Sequence, residues 1–232
     1  MSEALEKVAS LDKLPIFPLP LVLLPGEALP LHIFEPRYRQ MLEDIESTNN
    51  LFGVSLFEQE AALTDRPDVG SVGCVAEVRE AQKLEDGRSN ILTFGVVRYR
   101  IVAFDDDEPP YMVARVEFFE DDPSETDDLS KAADEIFELF ERVAKAAFDL
   151  SGNRGKLPEL QKTDPERLSF VVAAAFNLEN PAKYDLLTMT DTGERLERLR
   201  HVLSTAVGSM EESAAIQKAA RTNGHSTKKI DL

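Results

Sequence analysis

The sequence has no tryptophan and only one cysteine, Cys74. A single thiol excludes an intrachain disulfide and fits a reducing compartment, so a cytoplasmic protein is expected. The three histidines, His32, His201 and His225, stand far apart. None forms an H-x-H or H-E-x-x-H pattern, so neither a metal nor another cofactor is expected. Positive charge is scarce, with 26 Lys and Arg against 43 Asp and Glu, a net charge of −17. Such a balance repels phosphate backbones, and no basic patch offsets it, so nucleic acid is not an expected partner.

Long hydrophobic runs are also missing. The stretch from Leu14 to Gly26 is about half the length a bilayer-spanning helix requires. Its prolines at 15, 18, 20 and 25 would break such a helix. The opening "MSEALEKVASLDK" lacks the basic start of a secretory signal. No membrane association is expected.

Catalytic signatures are equally thin. "SGNRGKL" (Ser151–Leu157) differs from a phosphate loop in spacing, in lacking a hydroxyl after its lysine, and in following a helix. It reads as a helix-ending turn. No G-x-S-x-G elbow occurs, and no serine and lysine stand at a nucleophile–base spacing. The run Asp105–Glu108 lacks the alternating ligands of a calcium loop and reads as a solvated turn. The chain is therefore not expected to be an enzyme.

What is present is a core. With 232 residues and 43% hydrophobic content, the chain can build one large domain or two small ones. Residues 1–12 form a polar lead, helical or frayed. "LPIFPLP" and "LVLLPG" carry prolines that suit edge or bulged strands. Pro25-Gly26 marks a turn, after which "ALPLHIF" returns as in a hairpin. Pro36 opens a helix running to about Ser47, with Tyr38, Met41, Leu42 and Ile45 at helical spacing. "LFGVSLF", "GSVGCVAEVREAQKL", "RSNILTFGVVRYRIVAF" and "YMVARVEFF" follow, rich in β-branched and aromatic residues as strands are. Asp86-Gly87 supplies the turn between the second and third of these.

The texture changes at the acidic, proline-broken stretch 121–128, the expected linker between a β-rich part (13–120) and a helical part (129–220). In the first of the later helices, Ile136, Phe140, Val143, Ala147 and Leu150 share one face. Asp164 with Pro165, and Asn180 with Pro181, read as helix starts. A long last helix turns Leu196, Leu199, Leu203 and Val207 inward. Residues 221–232 are expected to be a disordered tail. The fold class is thus α+β, with one helix inserted among the strands.

The polar candidates cluster after the proline-rich start. His32 reads first as a packed residue on a half-buried strand, and second as a polar contact in a groove. Glu35, Arg37 and Arg39 either brace the helix start or receive a peptide's charges. Cys74, within "VGCVAEV", reads as a small buried hydrophobe.

The segment "PGEALPLHIFEPRY", followed in order by "LFGVSLF", "VGCVAEV", "LEDGRSNILTFGVVRYRI" and "PYMVARVEF", resembles the N-terminal substrate-binding domain of Lon proteases. The resemblance covers roughly Leu14 to Val207 and is strongest up to Phe119. It implies a PUA-like β-rich pseudo-barrel followed by a helical subdomain. It also implies recognition of unfolded or specific protein segments. On the groove reading of the residues themselves, His32, Phe34, Glu35, Arg37 and Tyr38 are the candidate peptide-binding residues. The chain carries neither the phosphate loop nor the Ser–Lys motif of a full Lon protease. A stand-alone, non-catalytic recognition module is therefore the expectation. The alternatives are an adaptor or regulator of a separate protease or other complex, and a small-molecule or RNA-binding PUA-like protein.

Overall fold

A computed structural model of the chain describes residues 2–58, 66–105, 109–122, 126–151 and 162–223. The elements run α1 (Glu3–Val8), β1 (Lys13–Leu19), β2 (Ala28–Ile33), α2 (Pro36–Glu46), β3 (Leu51–Leu56), β4 (Val72–Lys83), β5 (Ser89–Asp105), β6 (Met112–Phe119), α3 (Thr126–Leu150), α4 (Pro165–Ala175), α5 (Asn180–Thr188) and α6 (Thr192–Asn223). The chain divides into two compact units. One comprises Met1–Pro123 and Phe170–Asp191, the other Ser124–Ser169 and Thr192–Leu232.

In the first unit the strand order is β2-β5-β4-β3-β1-β6, and β6 pairs back onto β5. Five strands therefore close into a ring, and β2 is left as an edge attached to the first half of β5. Closure leaves less exposed ladder than an open sheet would. Leu14, Ile16, Leu51, Val75, Val97, Tyr99, Ile101, Ala114 and Val116 fill the ring, and Val8 of α1 packs against them. Every strand of the ring contributes at least one of these residues.

The polar lead is ordered: Ser2 Oγ accepts from Leu5 N at 3.1 Å and caps α1, which buries Val8. The proline-rich start departs from expectation in two ways. β1 is not an edge strand. Its first half (Lys13–Ile16) pairs antiparallel with β6, and its second half (Ile16–Leu19) pairs parallel with β3. Each half has a neighbour on one side only, so Pro15 and Pro18 can each leave a missing N–H on an unpaired side. "LVLLPG" is not a strand and forms no hairpin with β2. Val22, Leu23 and Leu24 are buried in an irregular segment that ends at Gly26, where φ is +79°.

α2 forms as its spacing predicts, burying Tyr38, Met41, Leu42 and Ile45. The Tyr38 ring lies 4.1 Å from Phe17, which in turn lies 6.1 Å from Phe52. The β4–β5 hairpin turns at Gly87, with φ of +80°. α5 corrects a second expectation. Glu179, not Asn180, is its N-cap, and Asn180 stands inside the helix. The Asn180 amide instead donates to Pro20 O at 3.1 Å and to Glu58 Oε1 at 3.2 Å, tying α5 back to the irregular segment.

The second unit is built on α3 and α6. α3 begins at Thr126, within the stretch expected as linker. Its buried residues are Ala133, Ile136, Phe137, Val143 and Ala146. Phe140 and Leu150 are only half-buried, and Ala147 is exposed, so the buried face is rotated from the expected one. α6 buries Leu196, Leu199, Leu203 and Val207 as predicted. Asp164 caps α4 by accepting from Arg167 N at 2.9 Å. Arg195, fully buried, donates to Ser169 Oγ at 2.7 Å. α6 continues to Asn223, into the expected tail; residues 224–232, like 106–108 of the acidic run and 152–157 of "SGNRGKL", lie outside the described residues.

Candidate functional site

The open edge of the first unit is β2. Its register with β5 places Ala28 opposite Phe94, Pro30 opposite Leu92 and His32 opposite Asn90. Gly95 N donates to Glu27 O at 2.9 Å, and Thr93 Oγ1 donates to Leu29 O at 2.9 Å. The odd residues of β2 therefore turn their backbone toward β5. By the alternation of an antiparallel ladder, Ala28, Pro30 and His32 turn theirs outward. Pro30 sits where its missing N–H costs no ladder bond. It also interrupts the free edge, so His32 is the last residue of that edge with an outward donor and acceptor.

Side chains alternate as well. Ala28, Pro30, His32 and Phe34 are exposed, while Leu29 and Leu31 are half-buried and Ile33 is buried. The His32 and Phe34 rings stack at 6.1 Å with an interplanar angle of 24°. His32 Nδ1 and Asn90 Oδ1 are 2.7 Å apart, and Arg88 Nη1 lies 3.5 Å from His32 Nε2. Arg88 is held by Asp86 through contacts at 2.7 and 2.6 Å. Arg37 pairs with Glu35 at 3.0 Å. The result is a small aromatic platform framed by two charge-neutral ion pairs.

The five residues chosen from the sequence are thus brought to one place but not to one role. His32, Phe34, Glu35 and Arg37 face solvent or its margin. Phe34 is 59% exposed. Tyr38 turns inward onto Phe17, and its phenol is shifted upward first by burial. The Arg37 guanidinium carbon lies over the Tyr38 ring, 4.6 Å from its centroid, so Tyr38 underlies the Arg37 end of the surface. Arg88 and Asn90 complete the platform and were not singled out from sequence. The signal for them was the β4–β5 hairpin itself, whose turn sits beside whichever strand pairs with the start of β5.

Two groups with potential chemistry elsewhere, Cys74 and Tyr99, are buried in the fold. Cys74 is buried, and burial pushes its thiol up to about 12, which suppresses the thiolate. Tyr99 shares a 2.7 Å hydrogen bond with Ser55 inside the ring. Among the described residues no group of three or more His, Cys, Asp or Glu could hold a metal ion. No helix among them is long and apolar enough to cross a membrane.

Comparison with known proteins agrees with this architecture. The family model for the ATP-dependent protease La (LON) substrate-binding domain matches residues 13–205. The chain is similar to a Lon protease of Endomicrobium trichonymphae, 25% identical over 204 residues, covering 84% of this chain and 25% of that protein. It is also similar to a Lon protease of Xanthomonas oryzae pv. oryzae, 29% identical over 195 residues, covering 80% and 22% respectively. The chain therefore spans about a quarter of the length of these curated relatives. Among solved structures, the Lon N-terminal domain protein from Xanthomonas campestris superposes with a TM-score of 0.58 at 23% identity, covering 82% of this chain and 97% of that one. The N-terminal domain of Mycobacterium avium complex Lon protease gives 0.61 at 21% identity, covering 83% and 98%. At these identities the two structures establish the fold alone.

Proposed function

The chain belongs to the LON substrate-binding domain family, and on that premise we propose that it is a non-catalytic module that binds segments of other proteins at the His32–Phe34 surface. The observation that carries this reading is the exposed aromatic pair beside the free edge of β2. An extended peptide can add to such an edge, while neighbouring side chains read its alternate residues. Pro30 limits the backbone pairing, so side-chain contacts with Phe34 and His32 carry most of the recognition. The flanking pairs, Glu35 with Arg37 and Asp86 with Arg88, are mutually neutralised. They orient the platform without demanding a charged partner at that point.

On this reading the site does no covalent or acid–base chemistry. Its output would be retention of a protein segment. A cytoplasmic setting belongs to the same proposal and fits the single, buried cysteine.

The test is binding of a permanently unfolded, fluorescently labelled protein to the full chain, followed by anisotropy. The His32→Ala, Phe34→Ala double variant should bind at least tenfold more weakly while its melting temperature is retained. Equal binding by the double variant and the parent would move the site elsewhere.

A further inference from the structure

The face of the sheet next to the β2 edge has a pattern of its own. Pro30 on β2 stands opposite Leu92 on β5, and Leu92 stands opposite Glu80 on β4. His32, Asn90 and Gln82 form the adjacent row. Directly opposed residues in antiparallel pairs share a face, so these rows run straight across three strands. Pro30, His32, Asn90, Gln82 and Glu80 are exposed, and Leu92 is half-buried.

Glu80 is the uncompensated charge on this surface. Its neighbour Arg79 turns to Glu77 at 2.7 Å, and Lys7 joins the same carboxylate at 3.3 Å. No ion pair to Glu80 is found among the described residues. A carboxylate thus ends an apolar row that begins at Pro30. The row spans two strand spacings, about 10 Å in all. An extended chain rises about 3.3 Å per residue with side chains alternating in direction, so same-face side chains two or four residues apart bracket that distance.

We infer that this face takes extended protein segments carrying a lysine or arginine a few residues from an apolar side chain, with Glu80 receiving the cation and Leu92 and Pro30 the apolar group. The inference rests on the protein-binding reading above, with the segment lying across the strands of this face rather than along the β2 edge, and adds the class of segment selected. Charge complementarity at Glu80 is reinforced by the chain's net charge of −17, which draws in basic segments and disfavours acidic ones.

The experiment uses short fluorescein-labelled peptides with identical apolar residues and with Lys, Gln or Glu at the variable positions. Each is titrated with the full chain and with its Glu80→Gln and Glu80→Lys variants. The parent should bind the Lys peptide about threefold tighter than the Gln peptide, as an exposed ion pair allows, and the Glu peptide weakest. In 0.15 M salt, which screens the chain's more distant charges, E80Q should abolish the Lys preference and E80K should invert it, with unchanged circular-dichroism melting. If all three peptides bind the parent equally, or the Lys preference survives in E80K, the cation assignment is overturned and protein recognition still stands. If the parent binds none of the peptides, both readings fall.

Discussion

Arg98 and Asp121 form an ion pair whose side chains are only 1% and 4% exposed. The same guanidinium donates to Leu187 O in the last turn of α5 and to Met189 O at its C-cap, and lies 4.7 Å from the Phe119 ring and 5.2 Å from Phe170. One buried cation thus joins the end of β6, the start of α4's share of this unit, and the end of α5. Asp122 and Thr190 repeat the tie, with Asp122 N donating to Thr190 O at 2.9 Å and Thr190 Oγ1 donating to Asp122 Oδ2 at 2.8 Å. Breaking a buried pair by removing one partner leaves an uncompensated charge and costs about 3–5 kcal/mol. Asp121→Ala or Arg98→Ala should therefore lower the melting temperature by roughly 10 °C for a chain of this size. The Arg98→Met, Asp121→Leu double variant should lose less than either single one, because it buries no unpaired charge. Equal losses for single and double variants would show that packing, not charge, governs this point.

Inside the ring, Tyr99 occupies the space left by two glycines. A Cβ at Gly73 would lie 2.4 Å from the Tyr99 ring and hydroxyl, and one at Gly53 2.6 Å from its hydroxyl. Gly73→Ala should therefore destabilise by about 1–3 kcal/mol through overpacking. Tyr99→Phe relieves nothing at the ring and strands the buried Ser55 hydroxyl, at a cost of about 1–3 kcal/mol. Adding Ser55→Ala to Tyr99→Phe should recover part of that loss, since both polar partners are then gone. Chemical denaturation of the parent, Tyr99→Phe, Ser55→Ala and the double variant measures the coupling directly.

The strands were legible because β-branched and aromatic runs, broken at Gly87, leave little other choice. α2 was legible to the residue, since Tyr38, Met41, Leu42 and Ile45 mark its buried face. β1 was misread because proline rules assume a ladder on both sides. The stagger that gives each half of β1 one partner is set by long-range pairing that no local pattern carries. Asn180 was misread because an Asn-Pro pair fits either the cap or the first turn, and only the contact with Pro20 decides. The exposed parity of Ala28, Pro30, His32 and Phe34 was readable in principle. The Glu80–Leu92–Pro30 row was not, because a bulge between Val78 and Glu80 shifts the register.

Alkaline pH should unfold the first unit early. The buried Cys74 thiol is raised to about 12, chiefly by burial, from an ordinary value near 9. Tyr99 is raised by burial, and Tyr111 by burial and by its hydrogen bond to Asp44. Each group keeps its proton in the folded state at a pH where the unfolded chain has lost it. Stability from these groups is full below pH 9 and falls as pH rises toward 12, by at most about 1.4 kcal/mol per pH unit for one thiol. Urea midpoints between pH 8 and 11 should decline, and Cys74→Ala should flatten the decline. A slope unchanged by Cys74→Ala would assign it to the tyrosines alone.

Phe34 and Tyr38 offer the sharpest separation of surface from scaffold. They stand four residues apart around the start of α2, yet one ring is 59% exposed and the other 4%. Phe34→Ala removes a ring that faces solvent and stacks on His32, so stability should change by no more than about 0.5 kcal/mol. Tyr38→Ala removes a ring packed 4.1 Å from Phe17 and should cost about 3–5 kcal/mol. Binding of an unfolded protein should show the reverse order under conditions where both variants remain folded. Phe34→Ala should weaken it severalfold, and Tyr38→Ala only as far as the platform above it sags. If Phe34→Ala instead melts the protein, that aromatic is architectural, and the binding surface must be sought away from the β2 edge.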